Sequence, residues 1–159
     1  MDELSQILWR ERELLEHLAY KLEVERLLLS TGRTQWLPKA TREIEDLLAT
    51  IRETEVLRAA VADDVAARLG LGPNPSLVAL AEAADEPWPA ILADHRDALV
   101  SIAREIAEVS EDAKGLLTAG YRSARETLLA IGGGATESYT HDGAAVTDAR
   151  RSHLLDRSL

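Results

Sequence analysis

The chain has 159 residues, no cysteine and no phenylalanine, and a net charge of −10. The charge excludes a basic surface for nucleic acid or anionic lipid as its main business. The lack of cysteine excludes disulfides, a thiolate metal site and a cysteine nucleophile. Leu (26) and Ala (25) are abundant and aromatic residues make up 4%. That composition suits helices packed on helices, because sheets favour β-branched and aromatic residues. No apolar run of about 18 residues is present, so no membrane-spanning segment is predicted. The acidic start Met1-Asp2-Glu3 is unlike a secretory signal, and a cytoplasmic location is expected.

Residues from about Asp2 to Ser30 place Leu4, Leu8, Glu11, Leu15, Leu18, Leu22, Glu25 and Leu29 at alternating four- and three-residue steps. This is near-heptad amphipathic spacing, and Gly32 ends the predicted helix. A second helix is predicted from about Thr34 to Leu69, with a stripe of Leu37, Ala40, Ile44, Leu47, Ile51, Thr54, Arg58, Val61, Val65 and Leu69. Its start is either Thr34 as cap or Pro38 as first residue. Gly70-Leu-Gly-Pro-Asn-Pro75 stops it. The short Ser30–Arg33 link predicts that the first two helices lie antiparallel.

Asn74 as cap and Pro75 as first residue open a short third helix whose apolar face is Leu77, Val78, Leu80, Ala81 and Ala84. The fourth and longest helix is predicted from about Pro87 to Ile131. Its stripe runs Trp88, Leu92, His95, Leu99, Ile102, Ile106, Val109, Ala113, Leu116, Gly120, Ala124, Leu128, Ile131, and Leu117, Tyr121 and Leu129 broaden it late. Gly115 and Gly120 leave its continuity open: either they permit close helix approach or reflect simple drift, or they soften the helix end for a partner. Gly132-Gly-Gly134 stops it, and the remaining residues lack a long periodic pattern. The predicted fold is all-α: an elongated antiparallel helical bundle or coiled coil with three long helices, one short helix and a flexible C-terminal tail. The domain boundary falls between 1–131, the bundle, and 132–159, the tail.

Enzyme chemistry finds no support. There is no Gly-x-Ser-x-Gly elbow, no Glu-x-x-His pair for a di-iron bundle, and no strand before Gly132-Gly-Gly134 to make a phosphate cradle. Glu13 with His17, and Asp94 with His95 and Asp97, read as solvated helix faces rather than metal sites. His95, on the apolar stripe, reads as a core-edge residue with one hydrogen bond. No metal and no cofactor is expected. What remains is surface for proteins. The third helix is too short to cover both long helices, so part of the fourth helix's stripe should meet another chain.

The chain resembles the FlgN-type flagellar export chaperones. The resemblance is carried by Leu4, Ile7, Leu8, Trp9 and Glu11, then by Leu14-Leu15, Leu22, Glu25 and Leu27-Leu28-Leu29. In the second helix it is carried by Ile44, Leu47-Leu48, Ile51 and Glu55-Val-Leu-Arg58. Leu69-Gly70-Leu71, the helix around Leu77 to Leu80, Leu116-Leu117 and Ser138-Tyr-Thr-His-Asp-Gly143 continue it, over about residues 1–143.

The resemblance implies a non-enzymatic cytoplasmic chaperone without a cofactor. Such a protein binds the C-terminal amphipathic helices of hook-associated proteins, prevents their premature assembly and passes them to the membrane export gate. Client-contact candidates are then Leu99, Ile102, Ile106, Val109, Leu116, Leu117, Tyr121 and Leu128, with Tyr139 a candidate tail contact for gate or client. The bland alternative is that Leu99 to Val109 simply pack on the first two helices. Neither nucleic acid nor membrane insertion is expected, and a homodimer is left open. A self-associating coiled-coil scaffold without an export client is the competing reading.

Overall fold

The computed structural model describes residues 1–132. They form four α-helices: α1 (Asp2–Ser30), α2 (Leu37–Arg68), α3 (Leu77–Ala83) and α4 (Trp88–Gly132). The expected all-α architecture, three long helices and a short one, is what is found. Residues Met1–Thr118 make one compact unit, and a second begins at Ala119.

α1 and α2 pack side by side and antiparallel, and their register can be read from polar pairs. Lys21 Nζ reaches Glu43 Oε2 at 2.6 Å, and the Thr41 hydroxyl donates to Glu25 Oε1 at 3.0 Å. The turn between the helices is tight because the end of α1 is capped locally. Gly32 adopts φ +68°, and the Arg33 amide donates to the Leu28 carbonyl at 3.0 Å. α2 ends the same way: Gly70 has φ +74°, and the Leu71 amide reaches the Ala66 carbonyl at 2.9 Å. Left-handed backbone of this kind favours glycine, which lacks the clashing Cβ.

Two helix starts differ from expectation. α2 begins at Leu37 with Pro38 in its first turn, after a 3-10 turn at Thr34–Trp36, so neither Thr34 nor Pro38 is the boundary. α3 begins at Leu77, not Pro75. Ser76, whose ψ of 157° is extended, accepts from the Ala79 amide at 3.1 Å and is the cap. Asn74 instead takes φ +54°, which Asn tolerates, and its amide donates to Asp63 Oδ1 at 2.6 Å, tying the loop back to α2. α4 begins at Trp88, where the sequence places its start.

The core of the first unit has two clusters. One joins Leu4, Ile7 and Leu8 of α1, Val61, Ala62, Val65 and Ala66 of α2, Leu80 of α3 and Leu92 of α4. The other joins Leu14 and Leu18 of α1 with Ile44, Leu47 and Ile51 of α2, and Ile106 of α4 packs against it. Burying a leucine completely contributes about 1.5–3 kcal/mol, and Leu4, Leu8, Leu80 and Leu92 are all fully buried. The small α3 thus joins the first cluster through Leu80, with Leu77 and Ala81 packed against it.

Candidate functional site

α4 carries the surface of interest, and its side chains divide sharply along its length. In the first unit its three-and-four spacing is used for packing. Leu92 and His95 are buried, Leu99 packs against the first cluster, Ile102 is buried, and Ile106 joins the second cluster. Val109 and Leu116 are half-buried and Ala113 is buried. The helix has to spend this stripe on α1, α2 and α3, because the two clusters need apolar side chains from a third direction to exclude water.

From Leu117 onward the pattern continues but the burial stops. Leu117 is 53% exposed, Tyr121 74%, Leu128 70% and Ile131 71%. With Ala124 these residues follow steps of four, three, four and three, the spacing of a two-heptad coiled-coil seam. Leu129 flanks the seam and is also exposed. Large apolar side chains scattered singly on a surface need no explanation, but a run at seam spacing on one helix face marks a place for another helix. The seam is poor in competing charge, since Arg122, Arg125 and Glu126 fall off it. Gly115 and Gly120 lie within the helix, and nothing stands within 4 Å of where a Cβ would be at either. Close approach to another element therefore does not explain either glycine.

The eight candidates from the sequence thus fall into two groups. Leu99, Ile102 and Ile106 are engaged in the core of the first unit, and Val109 and Leu116 are intermediate. Leu117, Tyr121 and Leu128 present free apolar surface. Leu129 and Ile131 extend that surface and were not among the candidates, although Ile131 stands on the predicted stripe and the seam spacing itself points to it. Tyr139, and the tail as a whole, lie outside the described residues.

The family model described as FlgN protein matches residues 1–147. The chain belongs to the FlgN family. No curated protein and no solved structure matches it. FlgN proteins are chaperones of flagellum assembly and export. No helix among the described residues is long and apolar enough to cross a membrane.

Two buried polar groups complete the picture of the first unit. His95 is 1% exposed; its Nε2 lies 3.1 Å from the Ser5 hydroxyl, and the Trp9 ring meets it edge-on at 5.1 Å. Burial holds the imidazole below its ordinary pKa, with Arg12 acting in the same direction and Asp94 opposing. Glu11 is 6% exposed and faces Arg58 of α2. Burial raises its carboxyl above the ordinary value, Arg58 pulls it down, and Glu55 pushes it further up.

Proposed function

We propose that this chain is a flagellar type III export chaperone for hook-associated proteins. It binds their C-terminal amphipathic helices, keeps them unassembled in the cytoplasm and delivers them to the membrane export gate. The observation that carries this reading is the exposed seam Leu117–Tyr121–Ala124–Leu128–Ile131 at the end of α4, in a chain of the FlgN family. An amphipathic client helix that will later join a helical assembly needs a temporary partner with a matching apolar face.

In this reading the client lies along Leu117, Tyr121 and Leu128, with Leu116 at the edge. Leu99, Ile102, Ile106 and Val109 act behind it by seating α4 on α1 and α2. Two heptads make a small interface, and small interfaces release readily, which delivery demands. Residues 1–131 are the helical domain in this scheme and 132–159 the tail, with Tyr139 as the tail's contact for gate or client.

The test is capture of a purified hook-associated protein by the full chain and by a Tyr121→Asp, Leu128→Asp double variant. Placing two carboxylates in an apolar seam should weaken binding at least about tenfold, while helicity and Tm stay at wild-type values because both side chains are exposed. Equal capture by both chains would overturn the assigned surface. Failure of the wild-type chain to capture any hook-associated protein, with light scattering showing an oligomer that persists on dilution, would favour the scaffold reading.

A further inference from the structure

In the first unit, α3 and the start of α4 leave an apolar socket of about 200 Å3 between them, and no seam residue lines it. Val78 and Ala81 of α3 and Pro89, Leu92 and Ala93 of α4 are among its walls. Ala81 and Ala93 contribute only a methyl group each, so the two helices meet without filling the space. We propose that this socket takes one large apolar side chain, of leucine to phenylalanine size, from a basic segment of a partner protein.

Three observations lead there. The first is size. Sites for small-molecule ligands run from about 300 to 1,000 Å3; the socket is smaller and suits a single side chain. The second is its lining. Six of the eight lining residues are apolar, so an apolar occupant gains most by leaving water there. Val78 is 42% exposed and Leu92 only 1%, so the socket runs from the surface to the core. A large side chain seated in such a pocket is the kind of contact that carries most of a binding energy.

The third is charge. Of the two charged residues on the socket, Arg96 is already taken by Asp97, which accepts from its Nη2 at 2.6 Å. Glu82 pairs with no cation among the described residues, and neither do Asp85 and Glu86 in the connection between α3 and α4. The segments that meet at the first cluster, residues 1–12 and 63–97, hold ten carboxylates against four arginines and the Met1 α-ammonium, a net of −5. The N-termini of α1 and α4 and the C-terminus of α2 together offset only about half a charge of that. An apolar anchor flanked by lysine or arginine complements this surface. Anionic lipid and nucleic acid are repelled by it.

The probe is a capped pentapeptide with one phenylalanine between two pairs of lysines, titrated into the full chain with methyl resonances followed by NMR. One anchored side chain should bind weakly, on the order of millimolar. The Val78 and Leu92 methyls should shift saturably while those of Leu128 in the seam stay fixed. Replacing the phenylalanine by alanine, or the lysines by glutamates, should each weaken binding about tenfold or more. Ala93→Leu fills the socket from an exposed position. It should bring the phenylalanine peptide down to the affinity of the alanine peptide with an unchanged circular dichroism spectrum.

No saturable shift at Val78 and Leu92, equal binding of the phenylalanine and alanine peptides, or undiminished binding of the glutamate peptide would each overturn the site. So would full affinity in Ala93→Leu. Toluene binding as tightly as the peptide would overturn a protein partner in favour of a small apolar ligand. Val78 and Leu92 shifts that grow with chain concentration, without peptide, would assign the socket to a second copy instead. None of these readouts involves the seam, so the outcome is independent of the client assignment.

Discussion

Glu11 of α1 and Arg58 of α2 meet across the layer that separates the two hydrophobic clusters. Arg58 Nε donates to Glu11 Oε1 at 3.2 Å and lies 2.9 Å from Oε2, which takes the charge but no hydrogen bond. Both residues stand on largely apolar stripes, and it is with each other that they pair. A pair of this kind fixes register, because sliding α1 by one turn on α2 would bury each charge against leucine. Its net contribution to stability is small or negative, since burial of the carboxylate outweighs what Arg58 returns.

Glu11→Gln should therefore fold at least as stably as the wild type at pH 7. The sign follows from the raised carboxyl. Its contribution is fully present below the ordinary value of 4.5 and is lost as pH rises through the higher value of the folded chain. Neutral glutamine carries no such loss. Arg58→Ala, which leaves the buried carboxylate alone, should cost about 1–2 kcal/mol, less than a fully buried pair because a third of the Arg58 side chain is exposed. Urea midpoints of the two variants decide. Glu11→Gln more than about 1 kcal/mol below the wild type would show that the pair is a net stabiliser.

His95 gives the opposite pH dependence. Its folded-state pKa lies below the ordinary 6.5, so the stability tied to the neutral ring is present above 6.5 and is lost as pH falls from there toward the folded value. His95→Gln retains a polar group for the Ser5 hydroxyl and cannot titrate. Melting curves at half-unit steps below pH 7 should fall for the wild type and stay flatter for the variant. Parallel curves would mean that the acid sensitivity comes from elsewhere.

The stripes of α1, α2 and α4 were legible because each is long and each is largely apolar. Periodicity is a strong signal when thirty residues repeat it. Even the exceptions carried information: Glu11 and Arg58 were visible as faults, though nothing in a linear stripe says that two faults face each other. The start of α3 was not legible. Asn74-Pro75 is a good cap sequence, yet Asn74 is taken by a left-handed turn tied to Asp63, and the serine two residues on does the capping. Where the α4 stripe passes from core to surface was hidden too, since Ile102 and Leu128 are equivalent by spacing and differ only in what lies opposite. The contact of Ser5 with His95 was illegible for another reason: the two stand 90 positions apart, and no local pattern joins them.

Removing residues 133–159 should leave the unfolding of the first unit unchanged. Every buried apolar side chain among the described residues falls between Leu4 and Ala113, so truncation after Gly132 takes away none of them. Thermal melts of the full and truncated chains should coincide within about 2 °C, which for a unit of this size is roughly 0.5 kcal/mol. A larger drop would place part of the stability in the tail and would move the domain boundary.

The glycines offer a test in which one substitution has two signs. At Gly32 and Gly70 the backbone is left-handed, with φ of +68° and +74°. A Cβ there meets no neighbour, so the cost of alanine is purely conformational, about 1 kcal/mol at each cap. At Gly115 and Gly120 the backbone is helical and the space beside it is open. Alanine there should raise helicity and stabilise by up to about 1 kcal/mol. The two α4 substitutions also separate the roles of these residues. If their purpose is a compliant helix that adapts to its client, Gly115→Ala with Gly120→Ala should increase helical content yet weaken client capture. If they are only tolerated, capture should match the wild type or improve, because a more rigid seam loses less entropy on binding. Loss of helicity in that double variant would contradict the open surroundings of both glycines.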